Sequence, residues 1–231
     1  MKRKRLTREE GRELTAQRLV EAAQRLIAKR GLEAASVEDI AEEAGYSRGA
    51  FYSNFKSKDE LFYEVLRQDQ KRINAKFAIT LDDALPLEQI LARIHEINAG
   101  LYNERESFLA WTEARLLSAR DPKFRAKIAG LITERRDFVV TILEYLAKRV
   151  GAAPSVPLGD LAMGFISLSE GVRLLGASSP NEMTAEVAGT ILDLFVGAVL
   201  RQTFQSESAP QTNRREPAPP RGAARTPSAT R

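Results

Sequence analysis

The amino-acid sequence predicts an all-α fold of about nine helices. Apolar residues recur with the 3.6-residue period of a helix along nearly the whole chain. Gly, Pro, Ser and Asp residues interrupt these stretches at positions where helices begin and end. No segment alternates with the period of two that is typical of a half-buried strand. With only 14 glycines and 7% aromatic residues in 231, a Gly-rich β-sandwich is disfavoured.

The composition argues against most enzymes and against a membrane protein. Without cysteine there is no disulfide, thiol nucleophile or Cys-based zinc site. A catalytic triad would have to use the single histidine, His95, and no G-x-S-x-G pattern accompanies it. No apolar run reaches the length of a membrane span, and no apolar stretch follows the basic N-terminus. We therefore expect a cytoplasmic protein that is not an enzyme and holds no metal or cofactor.

Charge is distributed unevenly along the chain. Residues 1–30 contain 10 basic and 4 acidic side chains, whereas residues 31–66 contain 3 basic and 8 acidic ones. We interpret residues 1–14 as a basic arm. Residues 206–231 hold five of the ten prolines and almost no large apolar side chain, which predicts a disordered tail rich in Pro and Arg. Nucleic-acid binding then requires the acids and bases of 31–66 to lie on different faces.

Capping residues mark the first four helices. Gly31 is placed to end the first helix, and Ser36, Ser47 and Ser57 are placed as N-caps of the next three. Ser57 and Glu60 form a Ser-x-x-Glu capping-box pattern. The predicted helices run from about Leu14 to Arg30, from Val37 to Gly45, from Arg48 to Asn54 and from Lys58 onward.

Two short helices joined by a tight glycine turn indicate a helix-turn-helix. The second of them, from Arg48 to Asn54, would then enter the DNA major groove. We expect the acids of the preceding helix to face solvent, while Arg48, Lys56, Lys58 and the basic arm face phosphate. The basic arm has a plainer interpretation as a solubilising tail.

The segment VEDIAEEAGYSRGAFYSNFKSKDELF resembles the N-terminal DNA-binding segment of the tetracycline-repressor (TetR) family of bacterial transcriptional regulators. The resemblance extends back through AQRLVEAAQRLIAKRGLEAAS and covers about residues 15–66. It implies a DNA-binding domain over 15–66 and a helical effector-binding and dimerisation domain over 67–205.

The resemblance also implies the DNA contacts. Tyr52 and Lys58 correspond to phosphate contacts, Ser36 to a backbone contact that is also an N-cap, and Arg48 is placed to read guanine. Asn54 stands where many family members have histidine. The predicted DNA-binding set is Ser36, Tyr46, Ser47, Arg48, Gly49, Tyr52, Asn54 and Lys58.

Six helices are predicted for the body, at about 58–80, 87–102, 105–120, 123–150, 158–176 and 184–204. The last two carry few charges and many small residues, which favours close packing against another helix. The family resemblance implies a four-helix bundle between two subunits. An intramolecular core is the alternative.

A pocket for a small, hydrophobic effector is expected among the middle helices. Its predicted lining consists of His95, Tyr102, Phe108, Trp111, Phe138, Phe165 and Arg173. Each of these residues has an alternative role in the core or on the surface.

The predicted function is that of a homodimeric repressor that a small molecule releases from a palindromic operator in double-stranded DNA. An activator of the same family, a ligand-independent architectural DNA-binding protein and an enzyme or carrier that retains the helical body are the alternatives. An enzyme would require a cluster of catalytic residues in 67–205, and the sequence contains none.

Overall fold

The computed structural model describes residues 7–151 and 156–204, with side chains described through residue 199. The predicted tail, 206–231, and the basic residues Lys2 to Arg5 lie outside these ranges. The described residues form helices without strands, which confirms the all-α fold class. The nine helices are α1 (Arg8–Arg30), α2 (Val37–Glu43), α3 (Arg48–Asn54), α4 (Lys58–Ala78), α5 (Leu87–Tyr102), α6 (Arg105–Arg120), α7 (Pro122–Val150), α8 (Leu158–Ser178) and α9 (Ala185–Phe204).

Helix α1 begins at Arg8, six residues before the predicted start. Thr7 and Glu10 form a capping box: the Thr7 hydroxyl accepts from the Glu10 amide at 3.1 Å, and the Glu10 carboxylate accepts from the Thr7 amide at 2.7 Å. These bonds satisfy amides that a helix start leaves without partners. Residues 8–14, predicted to belong to the arm, are therefore the first two turns of α1.

The other helices begin and end within a few residues of their predicted boundaries, and the capping hydrogen bonds set the observed ends. Helix α2 ends at Glu43 instead of Gly45, and α4 ends at Ala78. The predicted capping box at Ser57 forms only in part. The Ser57 hydroxyl accepts from the Glu60 amide at 3.2 Å, but the Glu60 carboxylate accepts from the Lys56 amide at 2.7 Å instead of the Ser57 amide.

The first hydrophobic core joins α1–α4 to α6 and α7. Leu19, Phe51 and Phe62 are fully buried in it, and the Phe62 ring stacks on Phe124 of α7 with centroids 5.7 Å apart. This core crosses the predicted domain boundary at residue 66 without a gap. The first three helices and the body therefore share one continuous core of packed side chains.

Two smaller cores complete the body. One lies among α4, α5 and α7 around Phe77, Ile90 and Ile142, and the other lies between α8 and α9 around Val172 and Leu192. None of the helices in the described ranges is long and apolar enough to cross a membrane.

Candidate nucleic-acid interface and ligand cavity

The turn between α2 and α3 is held by a Schellman motif. The Tyr46 amide donates to the Ala41 carbonyl at 2.8 Å, and the Gly45 amide donates to the Glu42 carbonyl at 2.9 Å. Gly45 has φ +77°, a conformation that side chains with a Cβ rarely adopt. The turn therefore fixes the angle at which α3 leaves α2.

Helix α3 presents a polar tip to solvent. The Ser47 hydroxyl caps it by accepting from the Ala50 amide at 3.3 Å, and Arg48, Gly49 and Tyr52 are exposed. The buried Phe51 ring holds the opposite face in the core. The Arg48 guanidinium lies 5.5 Å from the centroid of the Tyr52 ring, a cation–π distance. This is the geometry of a recognition helix whose first turn can face base edges.

The acids Glu38, Glu42 and Glu43 of α2 are exposed, as expected, but they are not separated from the bases. A nitrogen of Arg48 lies 2.7 Å from a carboxylate oxygen of Glu38 on α2, with 64% and 55% of the two side chains exposed. Glu43 and Asp39 likewise pair with arginines of α1. Short helices place the acids of α2 within reach of both neighbouring elements. Because exposed pairs contribute only about 0–1 kcal/mol, Arg48 can exchange Glu38 for another partner at little cost.

Three further predicted DNA contacts also have partners within the protein. The Ser36 hydroxyl donates to the Asp39 carboxylate at 2.7 Å, so its proton is occupied in the cap of α2. The Asn54 amide donates to the Ala50 carbonyl at 2.8 Å. Lys58 donates to the carbonyls of Leu32 and Glu33 at 2.8 and 3.1 Å, and these lie just beyond the C-terminal end of α1. The carbonyls supply the negative partner that a cation at a helix N-terminus needs.

A largely apolar cavity lies among α4, α5, α7, α8 and α9. Of the predicted pocket residues, Tyr102, Phe138, Phe165 and Arg173 line it. The Tyr102 hydroxyl donates to the Met183 carbonyl at 2.6 Å, which fixes the ring as part of the wall.

The remaining three predicted pocket residues lie elsewhere. His95 lines a second, adjoining cavity between α5 and α9, with Nδ1 3.0 Å from an Asp193 carboxylate oxygen. Phe108 lies under the Arg173 guanidinium, 5.1 Å from its ring centroid, and does not line the main cavity. Trp111 is buried in the first core. Apolar character alone did not distinguish cavity wall from core.

Four polar residues of the cavity wall were not predicted from the sequence: Gln70, Asn74, Arg135 and Ser169. Arg135 lies on α7 between Leu131 and Phe138, at the spacing of an apolar stripe, and its place on that stripe was the available signal. Ser169 lies one turn before Arg173 on α8, and both line the cavity. Ser169 Oγ and Arg173 Nε are buried without a hydrogen-bond partner in the described part of the chain.

Burial perturbs both cavity arginines. Loss of solvent, reinforced by the nearby Arg135 charge, lowers the pKa of Arg173 to about 10. Loss of solvent also lowers the pKa of Arg135, although Glu170 opposes the shift. The cavity therefore holds positive charge that the surrounding protein stabilises poorly.

A buried carboxylate joins α4 to α6. Asp69 accepts from Ser107 Oγ at 2.7 Å and from Trp111 Nε1 at 2.9 Å, and its other oxygen pairs with Arg72 at 2.7 Å. The bonds satisfy a carboxylate that would otherwise be costly to bury.

Glu104, between α5 and α6, joins the cavity to α4. Its backbone carbonyl accepts from Arg173 at 3.0 Å, while its carboxylate accepts from Arg72 and from Lys76 of α4. Burial alone would raise the pKa of Glu104, but these hydrogen bonds and positive charges outweigh it and lower the pKa to about 2.

Helices α8 and α9 leave apolar side chains exposed at helical spacing. Met163 and Leu174 lie three turns apart on one face of α8, and Val187 and Leu194 lie two turns apart on one face of α9. Leu194 is 62% exposed and Leu174 is 53% exposed. Such a face is typical of an interaction surface.

A fixed helix-turn-helix with an exposed second helix, joined to a helical body, defines the class of helix-turn-helix transcriptional regulators. Residues 19–65 match the model of the bacterial regulatory proteins of the tetR family. The chain is 40% identical over 186 residues to the HTH-type transcriptional repressor KstR2 of Mycobacterium tuberculosis, covering 80% of this chain and 92% of that protein. The protein belongs to the TetR family of bacterial transcriptional regulators, which are not enzymes.

Other comparisons agree with this assignment. The HTH-type transcriptional repressor AcnR of Corynebacterium efficiens is 31% identical over 190 residues, covering 80% of this chain and 92% of that protein. Two solved structures share the fold. A transcriptional regulator from Saccharomonospora viridis in complex with choline has a TM-score of 0.65 at 22% identity, covering 79% of this chain and 95% of that one. The SmeT–triclosan complex has a TM-score of 0.65 at 20% identity, covering 89% and 99%.

Proposed function

We propose that the protein is a homodimeric repressor that acts in the cytoplasm, binds a palindromic operator and leaves it when a hydrophobic small molecule occupies the cavity. The observation that carries this proposal is the exposed, rigidly oriented tip of α3, connected through α4 to a cavity in the body. The relatives KstR2 and AcnR are repressors, which supports repression over activation.

At the operator, Arg48 exchanges Glu38 for guanine O6 and N7, and the absent side chain of Gly49 leaves room for the base edges. Tyr52, Ser47 and Tyr46 contact the adjacent backbone. Ser36 and Asn54 already donate within the protein, so they act mainly by holding α2 and α3. Lys58 joins α4 to the end of α1 and reaches phosphate with its remaining N–H.

The apolar faces of α8 and α9 support a dimer. Two copies that pack these faces together bury the exposed leucines and form a four-helix bundle. Dimerisation also supplies two recognition helices, which match half-sites about 34–36 Å apart.

The cavity supports control by a small molecule. SmeT and the Saccharomonospora regulator hold triclosan and choline, respectively, in structures of the same fold. Release requires only that the ligand bind the DNA-incompatible conformation better, by about 1–3 kcal/mol. No observation favours the architectural or activator alternative.

The test is selection of preferred DNA from a random library, followed by binding to the selected site across a salt series. We expect a dyad-symmetric site. Arg48→Ala should cost about 1–3 kcal/mol and relax specificity at one base pair of each half-site. Tyr52→Phe should weaken all sequences equally. Arg93→Ala is the control and should have little effect, since Arg93 is exposed on α5 and forms no ion pair with a residue of the described ranges. DNA binding without sequence preference would contradict the proposal and favour an architectural protein.

Oligomeric state is tested separately by sedimentation. Leu194→Glu should convert the dimer to monomer and weaken operator binding, because it places a charge in the bundle. Leu116→Glu, at an exposed leucine of α6, should leave the dimer intact. A monomeric wild-type protein at micromolar concentration would refute the dimer.

A further inference from the structure

The cavity contains unbalanced positive charge. Two groups of charged side chains each contribute one cavity-lining arginine. In the first, Arg72, Lys76 and Arg173 are linked to Asp69 and Glu104 by ion pairs and by the bond from Arg173 to the Glu104 carbonyl. In the second, Arg115 and Arg135 share the carboxylate of Glu170. Each group has one more cation than carboxylates, so two positive charges are left without a matching anion in these groups.

Arg173 is the least compensated of these cations. It forms no ion pair with any described residue, and its protein contacts are one backbone carbonyl and the face of the Phe108 ring. Its Nε–H is buried and has no acceptor among the residues that the structure describes. A buried charge without a counter-ion is costly, and a buried donor without an acceptor adds to that cost. A ligand that supplied both would recover this free energy.

The geometry points to a second donor beside it. Ser169 lies four residues before Arg173 on α8, so the two side chains occupy the same face, and Ser169 Oγ is also buried without a partner. Two unpartnered donors match the two oxygens of a carboxylate. The rest of the wall is mainly apolar, including Phe138, Phe165 and Ile142.

We propose that the effector is a carboxylate with an apolar body, whose carboxylate accepts from Arg173 Nε and Ser169 Oγ while the body lies against the apolar wall. Arg135 contributes its charge from α7. The inference rests on the proposed function, because it assigns the chemical class of the ligand for the same cavity.

The test compares three probes that share a ten-carbon chain: decanoate, decanol and decyltrimethylammonium, each below its critical micelle concentration. Binding is followed through the single tryptophan, Trp111, whose ring centroid lies 5.4 Å from the Arg135 guanidinium carbon. We expect decanoate to bind at least about tenfold more tightly than decanol, a factor that corresponds to about 1.4 kcal/mol. Decyltrimethylammonium should bind more weakly than both.

Two variants test whether Ser169 and Arg173 cause the preference for decanoate over decanol. Ser169→Ala removes one hydroxyl and should weaken decanoate several-fold while decanol is unchanged. Arg173→Met keeps the apolar stem and should abolish the preference for decanoate. Without ligand, Arg173→Met should also raise the thermal midpoint, because it removes a poorly compensated buried charge. A purely structural arginine would instead lower that midpoint when replaced.

Each outcome decides one of the two proposals. Equal binding of decanoate and decanol, tighter binding of decyltrimethylammonium, no decanoate binding up to its micelle concentration, or a preference that survives in Arg173→Met would overturn the ligand class. Operator release is measured separately with the selected DNA. If decanoate binds with the expected preference and the operator stays bound, the carboxylate site stands and the release mechanism fails.

Discussion

Replacing Asp69 by Asn tests whether the buried carboxylate holds α4 against α6. One Asp69 oxygen accepts from two buried donors, Ser107 and Trp111, and the other pairs with Arg72. An amide fills the same volume but has only one acceptor oxygen. If that oxygen stays with Ser107 and Trp111, the new NH₂ group faces the Arg72 guanidinium, and two donors then oppose each other.

The expected loss follows from these bonds. A hydrogen bond to a charged group contributes about 1.5–3 kcal/mol, and the two bonds that remain lose their charge assistance. Arg72 is partly exposed, so water replaces some of what it loses. We therefore expect Asp69→Asn to lower the free energy of unfolding by about 2–4 kcal/mol. For a chain of this size that is a fall in thermal midpoint on the order of 10 °C.

The assay is thermal unfolding followed by far-UV circular dichroism at one fixed protein concentration, since a dimer's midpoint depends on concentration. Glu144→Gln is the matched control, because it is also an acid-to-amide change. Glu144 is exposed on α7 and has no ion pair within the described part of the chain, so this change should alter stability by less than about 0.5 kcal/mol. A midpoint for Asp69→Asn within about 2 °C of the control would refute the reasoning.

Three further predictions concern the DNA interface, the cavity wall and acid stability. Glu38→Gln should raise operator affinity several-fold at low salt, because Glu38 pairs with Arg48, which we propose contacts the bases. Glu42→Gln should have a smaller effect, and binding titrations check both. Gly176→Ala should lower the free energy of unfolding by about 1–3 kcal/mol, measured by chemical denaturation, because the new Cβ would overlap the Tyr102 side chain. Gly130→Ala is the control and should raise the free energy of unfolding, because a Cβ there meets no described atom and alanine favours the helix. The pKa of Glu104 is lowered from 4.5 to about 2, so the ionised carboxylate contributes to the free energy of unfolding fully above pH 4.5. That contribution is lost as the pH falls toward 2, and Glu104→Gln should flatten this part of the curve of stability against pH.

Local signals predicted the helix boundaries well. Helices α2 and α3 begin at the N-caps Ser36 and Ser47, and α7 ends at Gly151. These caps bond to residues within one turn, so the interactions that set the boundaries are contained in the local sequence. The start of α1 was missed although its signal was equally local. Thr7 and Glu10 form a Thr-x-x-Glu pattern inside a stretch whose basic charge suggested an arm.

Non-local partners were beyond the sequence. Nothing in the pattern places Glu38 beside Arg48, because their contact depends on the angle between α2 and α3. The aromatic residues of the body were equally ambiguous, since Trp111 and Phe138 have the same helical spacing as core residues. Only the packing of α4, α6 and α7 assigns one to the core and the other to the cavity.

Glu104 connects the two proposals physically. Arg173 donates to its carbonyl from the cavity, and its carboxylate holds Arg72 and Lys76 on α4. The other end of α4 is bonded by Lys58 to the loop that precedes α2. In the mechanism we propose, an anion that draws the Arg173 guanidinium away weakens a bond to the residue that holds one end of α4, while the operator acts on elements bonded to the other end. Under that proposal ligand and DNA compete through the position of a single helix, and by linkage each weakens the binding of the other by the same factor.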